Sequence, residues 1–246
     1  MSVQQPFEQL KQMRDDITRL MLKYKFALDE METKIEILKE EFKSLHDYCP
    51  IEHTNTRLKT PESIIKKLLR KGGVIAIDSI EEYVKDIAGL RITCSFISDI
   101  YRVSEILQKQ SDLKILQVKD YIKNPKSNGY KSLHLLLEVP VFLSDRVENV
   151  CVEIQIRTIA MDFWASLEHK IFYKYNRSVP QRLLEEIKGA ADTANALDHQ
   201  MERLMHEVQT IKDSHHEDFE REQLRSITIN NQSFKLPDAL LEILGK

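Results

Sequence analysis

Residues 119–134 read KDYIKNPKSNGYKSLH, and this stretch predicts two strands joined by a loop over residues 122–129. The loop contains an Asn-Pro and an Asn-Gly dipeptide, which are both strong turn signals. It also carries Lys123 and Lys126, and it ends beside Tyr130. Long loops inside compact domains are often functional. On these residues alone two interpretations stay open, a ligand-binding loop and a solvated hairpin.

Length and composition limit the class of protein. The chain has 246 residues, of which 42% are hydrophobic and 30% charged, which is typical of a soluble globular protein with one sizeable domain or two small ones. Its formal net charge of −3 argues against strong nucleic-acid binding. No apolar run approaches the roughly 18 residues of a membrane span, and residues 1–20 lack the apolar region that is typical of a signal peptide. The three cysteines lie far apart and predict reduced thiols, so we expect a cytoplasmic protein.

The first 48 residues predict helices. Apolar residues recur at spacings of three and four from Phe7 to Leu45, which is longer than an ordinary globular helix. Asp29 followed by Glu32 resembles a helix start, so we expect two helices with a break there. The alternative is one coiled-coil-like arm.

A strongly basic segment follows. From Arg57 to Lys71 there are six basic residues against one acidic residue, on a chain that is negative overall. Thr60 and Pro61 predict a helix start, and Gly72 predicts its end. The basic residues Lys66 and Lys67 lie four positions before Arg70 and Lys71, where like charges repel and weaken the helix slightly. A polyphosphate ligand explains this charge better than a solvated helix face does.

Three later segments alternate apolar and polar residues, as half-buried strands do. They run from about Leu90 to Phe96, from Ser132 to Val139 and from Val150 to Arg157. If these strands pair in register, one polar face collects Arg91, His134, Glu153 and Gln155. Asp86 precedes the first strand and supplies a second carboxylate, and two carboxylates near phosphate oxygens are a typical Mg²⁺ site. The alternative is an ordinary solvated sheet face.

Five motifs together resemble the synthetase domain of Rel/Spo-type alarmone synthetases, in particular the single-domain small alarmone synthetases of the RelP-like branch. The resemblance covers residues 50–175, and the order of the motifs makes it specific. The motifs are PIEHTNTRLKTPESI (50–64), DIAGLRI (86–92), DYIKNPKSNGYKSLH (120–134), EIQIRT (153–158) and FWASLEHKIFYKY (163–175).

The resemblance implies an activity and a fold. The activity is GTP pyrophosphokinase: transfer of the β,γ-pyrophosphate of ATP to the 3′-OH of GDP or GTP, giving (p)ppGpp and AMP for the stringent response. The fold is α+β, a mixed β-sheet flanked by helices, of nucleotidyltransferase-like type, with N- and C-terminal helical extensions. The longer family members carry a hydrolase domain before the synthetase, so we expect this chain to make alarmone without degrading it.

The resemblance also implies roles for individual residues. Asp86 and Glu153 are expected to hold Mg²⁺, and Glu153 to activate the attacking hydroxyl. Lys119 is a lysine where related enzymes often show arginine. The expected ATP ligands are Arg57, Lys59, Lys67, Arg70, Arg91 and Lys119, and the expected GDP/GTP ligands are Lys126, Tyr130, Lys131, His134 and Gln155.

The C-terminal part predicts a self-association surface. From Leu183 to Ile211 apolar residues alternate spacings of three and four, as in a heptad seam, and the family resemblance implies a homotetramer. The seam would alternatively pack on the N-terminal helices. We therefore expect helices over residues 1–48, the catalytic core over 49–178 and an oligomerisation helix with a tail over 179–246.

Two other functions remain open at this point. One is an RNA 3′-end pyrophosphokinase of the same fold, which would need a further basic surface. The other is a catalytically silent nucleotide- or RNA-binding oligomer, which the presence of both Asp86 and Glu153 disfavours.

Overall fold

The computed structural model describes residues 4–46, 48–172, 179–213, 226–229 and 232–235. The last three residues of the motif over 163–175 lie outside these ranges. Within them, helices precede, flank and follow a mixed sheet, which is the predicted α+β class with helical extensions. The elements are α1 (Gln4–Leu45), β1 (Ile51–Leu58), α2 (Pro61–Arg70), α3 (Ile77–Tyr83), β2 (Ala88–Cys94), α4 (Ile97–Lys109), β3 (Lys114–Asp120), β4 (Leu133–Phe142), β5 (Val147–Thr158), α5 (Ile159–Phe172), α6 (Gln181–Asp213), β6 (Ser226–Ile229) and β7 (Gln232–Lys235).

The main sheet has five strands in the order β1-β2-β5-β4-β3. Only β2 and β5 pair in parallel, and the other three pairs are antiparallel. The strands β3 and β4 are the two arms of the predicted loop, which spans residues 121–132. A separate two-stranded sheet contains β6 and β7.

One face of the main sheet is apolar and buried. The alternating residues of β2, β4 and β5 pack there against α1 and α4, and they form one continuous core. Leu90, Leu135 and Ile154 are 0–1% exposed, so this face contributes most of the hydrophobic stabilisation. The polar residues of the same strands therefore point to the opposite face, as the alternation predicted.

The predicted break near Asp29 is wrong, because α1 is one continuous helix of 42 residues. Asp29 caps nothing: its carboxylate pairs with Lys25 one turn earlier (2.5 Å). Ala27, Met31 and Ile35 are fully buried on the sheet, so the packed face runs through the expected boundary. Tertiary burial thus outweighs a weak local start signal.

The predicted basic helix is confirmed as α2. Thr60 accepts a hydrogen bond from the backbone N–H of Ser63 (3.3 Å), and Pro61 occupies the first turn. The helix ends at Arg70, and Gly72 has a φ of +79°, which glycine adopts without strain.

The strand β1 was not predicted. It is an edge strand paired with β2, and its polar residues give it no clear apolar alternation. Asn55 and Arg57 lie on the polar face of the sheet, and Thr56 faces the other way to donate a hydrogen bond to Glu32 on α1 (3.0 Å).

The helix α6 makes its apolar contacts mainly through its first half, and Glu202 farther along accepts a hydrogen bond from the backbone N–H of Ser98 on α4 (2.8 Å). Ile187, Ala191 and Ala194 contact a small apolar cluster around Trp164 of α5. Farther along, the predicted seam is open to solvent: Leu197, Met201, Leu204 and Val208 are 46–52% exposed. Within the described parts of the chain, no helix has the length and apolar character needed to cross a membrane.

Candidate active site

The strand register collects the predicted polar residues in one place. Arg91 on β2 and His134 on β4 both lie opposite Gln155 on the central strand β5. Gly89 lies opposite Glu153 and adds no side chain beside it. The polar face thus brings the carboxylate of Glu153 together with Arg91, Gln155 and the imidazole of His134.

Two cavities open on this face and share both carboxylates, Asp86 and Glu153. The first has a volume of about 120 Å³ and contains Arg57, Lys59, Arg91 and Gln155 in its wall. The second has a volume of about 260 Å³, and its wall contains four lysines and the imidazole of His134; the lysines are Lys67, Lys71, Lys85 and Lys119. Two anion-binding spaces therefore meet at one pair of acidic groups.

Asp86 is held charged by two lysines. Its Oδ2 accepts hydrogen bonds from Nζ of Lys59 (2.8 Å) and Nζ of Lys67 (2.6 Å). Burial raises the pKa of Asp86, but the two ammonium groups outweigh burial and hold that pKa below its ordinary value. The other oxygen, Oδ1, is buried and has no hydrogen-bond partner among the described residues. A charged oxygen is thus left available to a ligand.

Glu153 is also held charged. Its Oε2 accepts a hydrogen bond from Nε2 of Gln155 (2.8 Å), and its Oε1 lies 3.5 Å from Nδ1 of His134. Burial raises the pKa of Glu153 and so does the nearby charge of Asp86, but His134 and Gln155 lower it below its ordinary value. Both carboxylates are ionised at neutral pH.

The loop before β4 is fixed by contacts with α5 and α6. Gly129 has a φ of +89°, and a Cβ there would lie 2.5 Å from the Cβ of Ala191 on α6. Asn128 donates to Glu168 on α5 (3.2 Å) and accepts from the backbone N–H of Tyr130 (3.1 Å). The loop therefore holds Tyr130 in a defined position, which favours the ligand-binding interpretation over the solvated hairpin.

Tyr130 lies beside the second cavity rather than in its wall. Its hydroxyl is 2.8 Å from Nε2 of His134, and its ring meets the ring of Tyr121 edge-on at 6.0 Å between centroids. Nζ of Lys126 lies 4.8 Å from the Tyr130 centroid. Aromatic and cationic groups therefore cluster next to the phosphate-sized spaces.

Two predicted ligands lie elsewhere. Arg70 is exposed at the end of α2 and lines neither cavity. Lys131 points away from both: its ammonium donates to Asn195 on α6, and it lines a separate small space under Trp164. The alternation of β4 does not begin until Leu133, so the position of Lys131 was not set by the strand pattern. Neither position supports a phosphate-binding role.

Sequence reasoning assigned no role to Arg157, Asp162 or Tyr121. Arg157 is almost fully buried and bonds to Asp162, Tyr130 and Gln155. Its position on the polar side of the β5 alternation, in line with Glu153 and Gln155, was the available signal, because a buried arginine needs polar partners. Tyr121 and Asp162 carry no such signal.

The donor set at the carboxylates fits a hard divalent cation. Asp86 Oδ1 is an unpaired, charged oxygen, and Glu153 shares both cavities with it. Mg²⁺ is usually held by one or two carboxylates together with substrate phosphates. The described residues contain no cluster of three or more His, Cys, Asp or Glu arranged for a metal.

The chain is similar to known proteins over most of its length. Residues 56–178 match the family model described as a region found in RelA / SpoT proteins. The chain is 54% identical over 201 residues to GTP pyrophosphokinase YwaC of Bacillus subtilis, covering 82% of this chain and 96% of that protein.

Two solved structures extend the comparison to the fold. Small alarmone synthetase 2 from B. subtilis aligns with a TM-score of 0.72 at 54% identity, over 78% of this chain and 99% of that one. Small alarmone synthetase 1 from B. subtilis, bound to its product pppGpp, aligns with a TM-score of 0.73 at 37% identity, over 78% of this chain and 97% of that one.

Proposed function

Because the chain belongs to the small alarmone synthetases of the RelA/SpoT family, we propose that it transfers the β,γ-pyrophosphoryl group of ATP to the 3′-OH of GDP or GTP, giving (p)ppGpp and AMP. One observation carries this proposal. Two cation-lined cavities share the carboxylates of Asp86 and Glu153, so a donor and an acceptor polyphosphate can meet there.

The first cavity takes the ATP base in this proposal. Arg57 and Arg91 lie in its wall, and planar guanidinium groups stack on aromatic bases. Lys59 of this cavity and Lys67 of the second cavity both reach Asp86, and they neutralise the ATP phosphates. Lys119 lies opposite His134 in the strand register, near the group that is transferred.

The acceptor nucleotide binds beside the loop. Tyr130 stacks on guanine, Lys126 reaches phosphates from the same loop, and His134 contacts them from the second cavity. Gln155 is bonded to Glu153 and supports the acceptor ribose. We assign no such role to Arg70 or Lys131.

Asp86 and Glu153 hold Mg²⁺ in this proposal, and the ion supplies charge neutralisation between the phosphates of the two substrates. Pyrophosphoryl transfer of this kind proceeds through a loose transition state that needs positioning more than covalent help. Glu153 therefore orients the 3′-OH and accepts its proton late, so a carboxylate with a lowered pKa is adequate. His134 and Gln155 fix the direction of that carboxylate.

The test is a direct assay. The protein is incubated with ATP, Mg²⁺ and either GDP, GTP or tRNA, and the products are separated by anion exchange. We expect AMP and a 3′-pyrophosphorylated guanosine nucleotide in equal amounts. Modification of tRNA alone would instead favour the RNA pyrophosphokinase, and no product with any acceptor would favour a silent binding protein.

We expect Tyr130→Ala to impair acceptor binding selectively. Base stacking on an aromatic ring contributes about 1–3 kcal/mol, so KM for GTP should rise by a factor of about 5 to 140. KM for ATP should change little. Tyr130→Phe is the matched control, because it keeps the ring and loses only the hydroxyl bonds to His134 and Arg157. An unchanged KM for GTP in Tyr130→Ala would remove the stacking assignment.

We also propose that the protein is a cytoplasmic homotetramer. The location is supported by three free thiols, which are typical of a reducing compartment. The assembly is supported by the heptad seam on α6, whose residues Leu197, Met201, Leu204 and Val208 stay exposed on the single chain.

Leu204→Glu should weaken that assembly, because it places a charge in the apolar seam. We expect light scattering to give a smaller particle mass than the wild-type tetramer. Arg203→Glu is the control, since Arg203 is exposed next to the seam without being part of it. A Leu204→Glu protein of unchanged mass would exclude α6 as the interface.

A further inference from the structure

One carboxylate, Asp162 in the first turn of α5, lies between two arginines from different strands. Its Oδ1 is 3.1 Å from Nη1 of Arg91 on β2 and 3.1 Å from Nη1 of Arg157 on β5. Charge-assisted bonds of this type are usually about 2.7–2.9 Å long. The two guanidinium groups therefore share one oxygen: Arg157 donates a hydrogen bond to it, whereas Arg91 forms an ion pair with it.

On the acceptor side, Arg157 controls the position of Tyr130. Its Nη2 donates to the Tyr130 hydroxyl (2.6 Å) and to Oε1 of Gln155 (2.7 Å). The Arg157 side chain is only 5% exposed, so it does not reach the acceptor itself. It acts by fixing the ring and the amide that do.

On the donor side, Arg91 is held more loosely. Its side chain is 36% exposed, and its buried Nε has no hydrogen-bond partner in the described part of the chain. A guanidinium group with an unsatisfied buried donor loses little when it turns toward a ligand. If Arg91 turns onto an adenine base, the Asp162 oxygen is left to Arg157 alone.

We propose that Asp162 is a positioning residue that couples the two nucleotide sites. Binding of ATP draws Arg91 away, the Asp162–Arg157 bond strengthens, and Tyr130 and Gln155 are held more firmly for the acceptor. This inference rests on the proposed function. Because coupling between two sites is reciprocal, GTP must tighten ATP binding by the same factor.

The test measures Kd for GTP by calorimetry with Mg²⁺, in the absence and in the presence of saturating α,β-methylene ATP. We expect the analogue to tighten GTP binding about fivefold or more in the wild type, since a ligand at one coupled site typically changes the affinity of the other by at least that factor. Asp162→Asn keeps the shape of the side chain and loses its charge. For this variant the ratio of Kd for GTP without the analogue to Kd with it should fall close to one. Asp162→Glu keeps the charge and should restore part of the effect.

A control variant distinguishes a loss of coupling between the two sites from a general loosening of helix α5. Asp198 accepts a hydrogen bond from Thr158 at the start of the same helix (2.7 Å) and contacts neither arginine, so Asp198→Asn should keep the wild-type ratio. The inference is overturned if the wild type shows no tightening, if Asp162→Asn keeps it, or if Asp198→Asn loses it equally. Failure of the wild type to bind either nucleotide alone would overturn the proposed function, and the inference with it.

Discussion

Replacing Glu153 by Gln is expected to reduce kcat by roughly a thousandfold, because general-base catalysis typically contributes a factor of about 10²–10⁴. The amide keeps the size of the side chain and the contact with Gln155, but it loses the charge that His134 faces. Both the orientation of the 3′-OH and the affinity for Mg²⁺ depend on that charge. The measurement is the steady-state rate of AMP formation at saturating ATP and GTP.

Glu138→Gln provides the matched control for this variant. Glu138 lies on the neighbouring strand β4, pairs with Lys114 (2.9 Å) and lines neither cavity. We expect its kcat to stay within about twofold of the wild type. A Glu153→Gln enzyme that retained more than about a tenth of the wild-type kcat would remove Glu153 from the catalytic role.

Asp86→Asn is expected to lower kcat about a hundredfold and to raise the Mg²⁺ concentration needed for half-maximal rate. Removal of a metal ligand costs several kcal/mol of transition-state stabilisation, and each 1.36 kcal/mol is about a tenfold change in rate. The variant also leaves Lys59 and Lys67 without their shared anion, so the two ammonium groups repel each other more strongly. A Mg²⁺ titration of the rate separates these effects, because excess Mg²⁺ should recover part of the loss.

Asp112→Asn is the control for a general effect of losing an ion-paired aspartate. Asp112 pairs with Lys34 of α1 (2.9 Å), and it lines neither cavity. Its Mg²⁺ dependence should match the wild type. If Asp86→Asn also showed the wild-type Mg²⁺ dependence, Asp86 would not be a metal ligand.

The sheet and much of the site were predictable because strands alternate with a period of two. In β2, β4 and β5 that alternation separates a buried face from a polar one, and it put Arg91, His134, Glu153 and Gln155 together before any register was known. The cap at Thr60 and the glycine at Gly72 fixed the ends of α2 in the same local way. Local sequence signals were sufficient to predict the structure wherever the conformation that they favour is also the one that packs best in the folded chain.

The remaining features depend on contacts between distant segments. The sequence of β1 has no alternation of apolar and polar residues from which a strand could be predicted. Its strand conformation depends instead on pairing with β2, because β1 lies at the edge of the sheet. The continuity of α1 through Asp29 depends on burial of Met31 against the sheet. Likewise, Asp162 becomes informative only when helix α5 brings it between Arg91 and Arg157.

The most direct test of the account follows the phosphorus atoms of ATP through the reaction. The protein is incubated with Mg²⁺, GTP and ATP labelled in separate experiments at the α, β or γ phosphorus, and the guanosine product is then isolated. We expect the β and γ labels both to appear in the group on the 3′ oxygen of the product, while the α label remains in AMP. Transfer of the γ label alone, or a product with no label at the 3′ position, would contradict the proposed transfer.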